Sequence, residues 1–191
     1  SEVAEPEEAN LAAISGSRVV AFDRIMEKYL DEMEQIVLPG VGFDLIALPY
    51  TEGKNLKMFE IDQVNTLNVK VETLKEAGIR HDWITYIPVD YASESWVDKL
   101  IEAGFDNTKK TLFLWQSVSL YLDEKTVKDT LRGMAELCVD GSVIAQDFYS
   151  KTYSSGEYSF IAKRNMALIA RMGEPAKFGE PFYCIVEAEK Q

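Results

Sequence analysis

Short apolar runs alternate with stretches of helical spacing along this chain, and that alternation constrains the fold more than any other feature. "QIVL", "LKMFEID", "DWITYIPVD", "KTLFLWQSV", "SVIAQDFY" and "FYCIVEAEK" read as strands. Between them, "VNTLNVKVETLKEAG", "SESWVDKLIEAG", "DEKTVKDTLRGMAELCVDG" and "EYSFIAKRNMALIARMG" read as helices. Ser93 or Ser95 and Asp123 suit N-caps, and Gly78, Gly104 and Gly141 suit terminators. Ahead of the first strand, Val19, Phe22, Ile25, Met26, Tyr29, Leu30 and Met33 recur at helical spacing, while residues 1–17 suit an N-terminal arm or short helix. Parallel strands need crossover connections, which a helix after each strand supplies. The expected fold is therefore α/β: one domain over residues 1–191, with a doubly wound, mostly parallel, Rossmann-like sheet covered by helices on both faces.

Ligands in such sheets bind outside the carboxyl ends of the strands, near the point where strand order reverses. The positions to inspect are thus residues 40–44, Glu60 and Asp62, Asp90 and Tyr91, residues 116–119 and residues 147–149. Four of these five sites carry an acid. Charge narrows the ligand further: 32 Asp+Glu against 20 Lys+Arg gives a net charge of −12, which repels a phosphate backbone and argues against nucleic acid. No apolar run approaches the roughly 20 residues a membrane span requires, and no signal peptide opens the chain, so no membrane partner and a cytoplasmic location are expected. Two cysteines, Cys138 and Cys184, read as inert buried thiols rather than a disulfide framework or metal site. One histidine, His81, reads as a surface residue and leaves no room for catalysis built on several histidines.

The first strand runs into Pro39-Gly40-Val41-Gly42, two-thirds of a dinucleotide fingerprint, and Glu60 ends the second strand about where an acid grips ribose hydroxyls. Leu45 stands where the third glycine would let a helix N-terminus meet a pyrophosphate, and Asp44 adds negative charge to the turn. A nucleoside without phosphate fits better, and S-adenosylmethionine is the common one. Its sulfonium cation suits acidic and aromatic walls.

"VLPGVGFD", "MFEIDQ" and "YIPVDYAS.SWVDKLIEAGFDNTKKTLFLWQSVSLYLDEKTVKDTLRGMAEL" together resemble the leucine carboxyl methyltransferase family. The likeness runs over residues 18–148, with a fainter echo in "GEPAKFG". It implies a class I methyltransferase fold and methyl transfer from S-adenosylmethionine to a carboxylate or another oxygen. It also implies cofactor-binding roles: Arg18 for the cofactor carboxylate, Gly40 and Gly42 for the turn, Glu60 and Asp62 for the ribose. Asp90 and Tyr91 would lie near the adenine, and Gln116 falls where the family usually has a glutamate. Pro39, Gln116 and the lack of an arginine soon after Asp44 depart from the family pattern, and the chain is shorter than a typical member.

Bland readings stand beside these roles. Arg18 suits a solvated helix face, Asp62 suits a cap for the helix from Val64, and Asp90 suits a turn. Tyr121 suits either an acceptor pocket or a cover for the core, and Trp96 and Trp115 read as core. A carboxylate acceptor is already ionised at neutral pH and needs no general base. A hydroxyl acceptor would need one, with Asp147 or Tyr121 available. The expected partner is a small molecule bearing a carboxylate or hydroxyl, or a protein C-terminus. The alternatives are a catalytically degenerate family member acting as a binding protein and an NAD-dependent oxidoreductase. The latter lacks both the third glycine and a Tyr-x-x-x-Lys pair.

Overall fold

A computed structural model of the chain describes residues 6–91, 93–171, 173, 175–180 and 184–190. Six strands form one sheet: β1 (Gln35–Pro39), β2 (Lys57–Asp62), β3 (Ile84–Pro88), β4 (Thr111–Trp115), β5 (Val143–Phe148) and β6 (Cys184–Glu189), in spatial order β3-β2-β1-β4-β5-β6. The first five pair in parallel, and β6 runs antiparallel to β5. Strand order reverses between β1 and β4, which places the switch point where the glycine turn leaves β1.

Side-chain alternation sorts the strands onto two cores. Ile36, Leu38, Met58, Leu112, Leu114, Val143 and Ala145 face α1 (Pro6–Tyr29) and α3 (Val64–Glu76) through Phe22, Met26 and Leu67. Val37, Phe59, Ile61, Phe113 and Trp115 face α4 (Trp96–Glu102) and α5 (Glu124–Leu137) through Leu100, Val127 and Met134. Both faces of β1 and β4 are covered, which is why these strands read as unbroken apolar runs.

The doubly wound reading holds, with differences of detail. The arm and the first helix are one element: α1 runs through from Pro6, and Gly16 does not break it. A short helix α2 (Leu48–Thr51) follows the glycine turn, where the sequence carries too few periodic positions to announce it. Ser95, not Ser93, caps α4, and Asp123 caps α5 by accepting from Thr126 N. Gly141 does not terminate α5, which ends at Leu137 with Cys138 as an extended C-cap; Gly141 instead turns the chain into β5 and donates to Lys190 O. The run from Glu157 becomes α7 (Phe160–Arg171), preceded by the short α6 (Lys151–Ser154). Cys138 is buried as expected, and burial pushes its thiol up, whereas the side chain of Cys184 lies outside the described ones. Among the described residues no helix is long and apolar enough to cross a membrane.

Candidate functional site

The turn after β1 is built on positive backbone angles, with φ of +67° at Gly40 and +54° at Gly42. A Cβ on Gly40 would lie 2.6 Å from Val118 Cγ2, so glycine is needed there for space as well as for φ; a Cβ on Gly42 would meet nothing within 4 Å. The turn's amides find their acceptors on β2. Gly40 N donates to Ile61 O at 2.8 Å, and Gly42 N donates to Asp62 Oδ2 at 2.7 Å. Asp62 Oδ1 accepts from Gln63 N, so Asp62 ties β2 to the turn rather than capping α3, whose N-cap is Gln63.

Beside this turn, at the reversal of strand order, a cleft of about 660 Å³ opens. Gly40, Asp90, Tyr91, Trp96, Trp115 and Val118 contribute to its wall. Asp90 is anchored locally, accepting from Ser93 Oγ at 2.7 Å, while its amide donates to Glu94 Oε2. Tyr91 presents an exposed ring, and its hydroxyl lies 3.4 Å from Ile61 O. Burial of that hydroxyl, with the charge of Asp62 behind it, pushes the phenol up, so it stays protonated at neutral pH. Trp115 and Trp96 do pack against the core as read from the sequence, yet both also reach the cleft wall.

Glu60 sits elsewhere. It is 1% exposed, on the α1 and α3 face of the sheet, opposite Leu38 and Tyr86. Lys70 Nζ approaches Glu60 Oε2 to 2.7 Å, an ion pair rather than a well-directed hydrogen bond, and the same ammonium donates to Asp44 O at 2.6 Å. Burial pushes the Glu60 carboxyl up, against the opposing pull of Lys70. Gln116, after β4, donates to Asp44 Oδ2. Lys70 was not singled out from the sequence; a lysine midway along an amphipathic helix carries no mark of burial.

A second group gathers where β4, β5 and α1 meet. Arg18 Nη1 donates to Tyr149 Oη at 2.6 Å and lies 4.0 Å from Asp147 Oδ2. Asp147 is fully buried; Oδ1 accepts from Ser117 N at 2.6 Å, whereas Oδ2 and Arg18 Nε have no hydrogen-bond partner among the described residues. Burial pushes the Asp147 carboxyl up, with the Ser117 amide and Arg18 pulling the other way. Ser117 itself has φ of +59°. Next to it, Ser117, Tyr121, Tyr149 and Tyr153 line a smaller pocket of about 200 Å³ closed by α7. His81 is half-buried and lies 3.2 Å from Tyr86 Oη, remote from both pockets.

The structure thus brings Gly40, Asp90 and Tyr91 together at one cleft, with Gly42, Asp62 and Gln116 bracing its turn. It gathers Arg18 with Asp147 and Tyr149, puts Tyr121 in the smaller pocket, and holds Glu60 in the interior. The residues fit an adenosine-type cofactor in kind: a glycine turn with no room for a side chain, acidic and aromatic walls, and buried polar atoms left open near Arg18.

Residues 2–135 match the family model described as leucine carboxyl methyltransferase, which covers more than half of the chain. The Bacillus subtilis (strain 168) protein YktD, whose name describes a candidate S-adenosyl-L-methionine-dependent methyltransferase, is 28% identical over 147 residues, 75% of this chain and 48% of YktD. A similarly named Frankia alni protein is 30% identical over 129 residues, 62% of this chain and 44% of that protein. The chain therefore spans about half the length of the curated relatives it matches. Among solved structures, an O-methyltransferase family protein from Burkholderia thailandensis aligns with a TM-score of 0.65 at 9% identity, covering 97% of this chain and 59% of that one. Magnesium protoporphyrin IX methyltransferase from Synechocystis, solved with bound SAH, aligns with a TM-score of 0.60 at 10% identity, covering 100% of this chain and 90% of that one. These two likenesses speak to the fold, a class I methyltransferase sheet. On the strength of the family match, this chain belongs to the leucine carboxyl methyltransferase family.

Proposed function

We propose that this chain carries the S-adenosylmethionine-binding part of a methyltransferase that transfers a methyl group to a carboxylate oxygen. The observation that carries the reading is the cleft at the β1–β4 reversal, where a glycine turn faces Asp90, Tyr91 and two tryptophans in a chain of this family. The names of its relatives support the same donor. When bound, S-adenosylmethionine supplies an electrophilic methyl on a sulfonium centre.

The chain's own residues then bind, orient and exclude water. Asp90 and Tyr91 would hold the adenosine end and Asp62 the ribose, with Gly40 allowing close approach to the backbone. Arg18, beside Asp147 and Tyr149, is the cationic group suited to an amino-acid carboxylate. Acidic and aromatic walls favour the sulfonium cation. The acceptor would enter beside Ser117, Tyr121, Tyr149 and Tyr153, in the pocket of about 200 Å³. A carboxylate there is ionised at neutral pH and needs no proton removed, so positioning and water exclusion supply the rate, worth several kcal/mol of barrier.

Calorimetry with S-adenosylmethionine and with S-adenosylhomocysteine tests the reading. Saturable binding that NAD does not displace is expected; no binding of either compound overturns it. Incubating the protein with isotopically labelled methyl donor and a cell extract, followed by mass spectrometry, then identifies the acceptor. Label on a carboxyl oxygen is the expected result, and label on nitrogen or carbon alone rejects carboxylate methylation.

A further inference from the structure

Lys70 lies midway along α3 with its side chain only 2% exposed, an unusual place for an ammonium. Among the described residues its ammonium meets two polar partners, Glu60 Oε2 at 2.7 Å and the backbone carbonyl of Asp44 at 2.6 Å. Asp44 is held from other directions too: its Oδ1 accepts from Ile46 N at 2.8 Å, and its Oδ2 accepts from Gln116. The segment from Val41 to Ala47 links the glycine turn to α2, and among the described hydrogen bonds Lys70 is its tether from the α3 side. A buried ion pair contributes little net stability compared with well-packed apolar side chains of similar volume. Stability alone therefore does not account for these two charges. What no apolar pair could do is donate a hydrogen bond to the Asp44 carbonyl.

We propose that Lys70 is a positioning residue that clamps the Asp44 carbonyl from beneath and so holds the glycine turn in its ligand-receiving shape, with Glu60 as its buried counter-ion. The clamp acts on the backbone and is present before any ligand arrives. It reaches the β4 side as well, because the Asp44 carboxylate it helps to orient is the one that engages Gln116. Its effect on ligand affinity rests on the methyltransferase reading; its effect on the turn does not.

The test replaces the pair together, as Glu60→Leu with Lys70→Met, alongside Lys70→Gln, which leaves Glu60 in place. The double variant is expected to fold with a melting temperature near or above that of the wild type, since neither charge is left unpaired. Hydrogen exchange of residues 41–48 in the ligand-free double variant should nevertheless speed up by about tenfold or more while β1 and β2 stay protected. Affinity for S-adenosylhomocysteine should fall by about tenfold or more in both variants, a loss that restored stability does not repair. A folded double variant with wild-type exchange over residues 41–48 overturns the clamp. So does Lys70→Gln that keeps wild-type affinity, and so does failure of both variants to fold, which would make the pair a requirement of folding. Should the wild type itself bind no S-adenosylhomocysteine, the methyltransferase reading falls and the exchange measurement alone decides the clamp.

Discussion

The two halves of the sheet's carboxyl edge are built differently. On the β2–β3 side, charged groups answer one another: Glu60 meets Lys70, and the Asp62 carboxylate takes the amides of Gly42 and Gln63, both at 2.7 Å. On the β4–β5 side, Ser117 holds a left-handed backbone angle, and Asp147 Oδ2 and Arg18 Nε are buried without hydrogen-bond partners among the described residues. Glu60 Oε2 also lacks a directed hydrogen bond, but it has an ammonium at 2.7 Å, whereas Arg18 Nη1 stands 4.0 Å from Asp147 Oδ2. Unanswered polar atoms in the interior are costly and uncommon in native proteins. The difference teaches that the first half is a finished scaffold, whereas the second keeps hydrogen-bonding capacity in reserve beside the cation suited to a ligand carboxylate.

Breaking the finished half should hurt stability most. Lys70→Met alone leaves Glu60 as an unpaired buried carboxylate, and the expected loss is about 3–5 kcal/mol by urea denaturation. The buried group cannot simply be rehydrated in place, because its side chain is 2% exposed. A loss under about 1 kcal/mol would show that the interior tolerates the charge, and the contrast between the halves would go.

The turn between the halves offers a sharper comparison within itself. Gly40→Ala meets both a positive φ and Val118 Cγ2, so it should cost about 2–4 kcal/mol. Gly42→Ala meets a positive φ but open space, and should cost about 1 kcal/mol. Equal losses at the two positions would mean that contact with the β4 loop plays no part and the halves are not coupled there.

Much of this was legible beforehand. Strand and helix order follow from period, caps and two-sided burial, because those depend on local spacing and the polarity of each face. Gly40, Asp90 and Tyr91 could be placed at the cleft because the carboxyl end of a parallel strand is readable from its own residues. The roles of Lys70 and Val118 were not legible. Val118 matters through contact with a residue 78 positions earlier, and Lys70 through a bond to a carbonyl, which any residue would present. Glu60 was read from its place at the strand end; only the sheet's parity and the packing of α3 show which way its carboxylate turns. The same limit hid the end of α5, where Gly141 suggested a terminator but Cys138 leaves the helix first.

A titration separates the halves next. Burial raises the folded-state pKa of Asp147 above its unfolded value. The folded state therefore holds that proton more tightly, and stability falls as pH rises from the ordinary aspartate range through the raised value. Asp147→Asn removes the ionisation but keeps an acceptor for the Ser117 amide. Raising pH from about 4 to about 8 should then lower the melting temperature of the wild type more than that of the variant. A gap that stays constant across this range would mean that Asp147 ionises in the fold as easily as in the unfolded chain, and the reserve assigned to the β4–β5 half would be lost.

The smallest effect tests the strain at Ser117. A left-handed backbone costs a residue with a Cβ about 1–2 kcal/mol, while glycine adopts it freely but loses more entropy on folding, by roughly 0.5–1 kcal/mol. Ser117→Gly also gives up the Oγ contact with Tyr149 Oη at 3.3 Å. These terms nearly cancel, so the expected change in stability is a gain of about 0.5 kcal/mol or less. Affinity should move the other way: a glycine leaves the Ser117 amide, the Arg18–Tyr149 contact and the rim of the smaller pocket less fixed, and binding of S-adenosylhomocysteine should weaken by about threefold. Stability and affinity moving in opposite directions is the signature of a residue strained for a ligand. If both fall together, the left-handed angle is a packing requirement of the β4–β5 junction, and the two halves of the edge differ only in their partners.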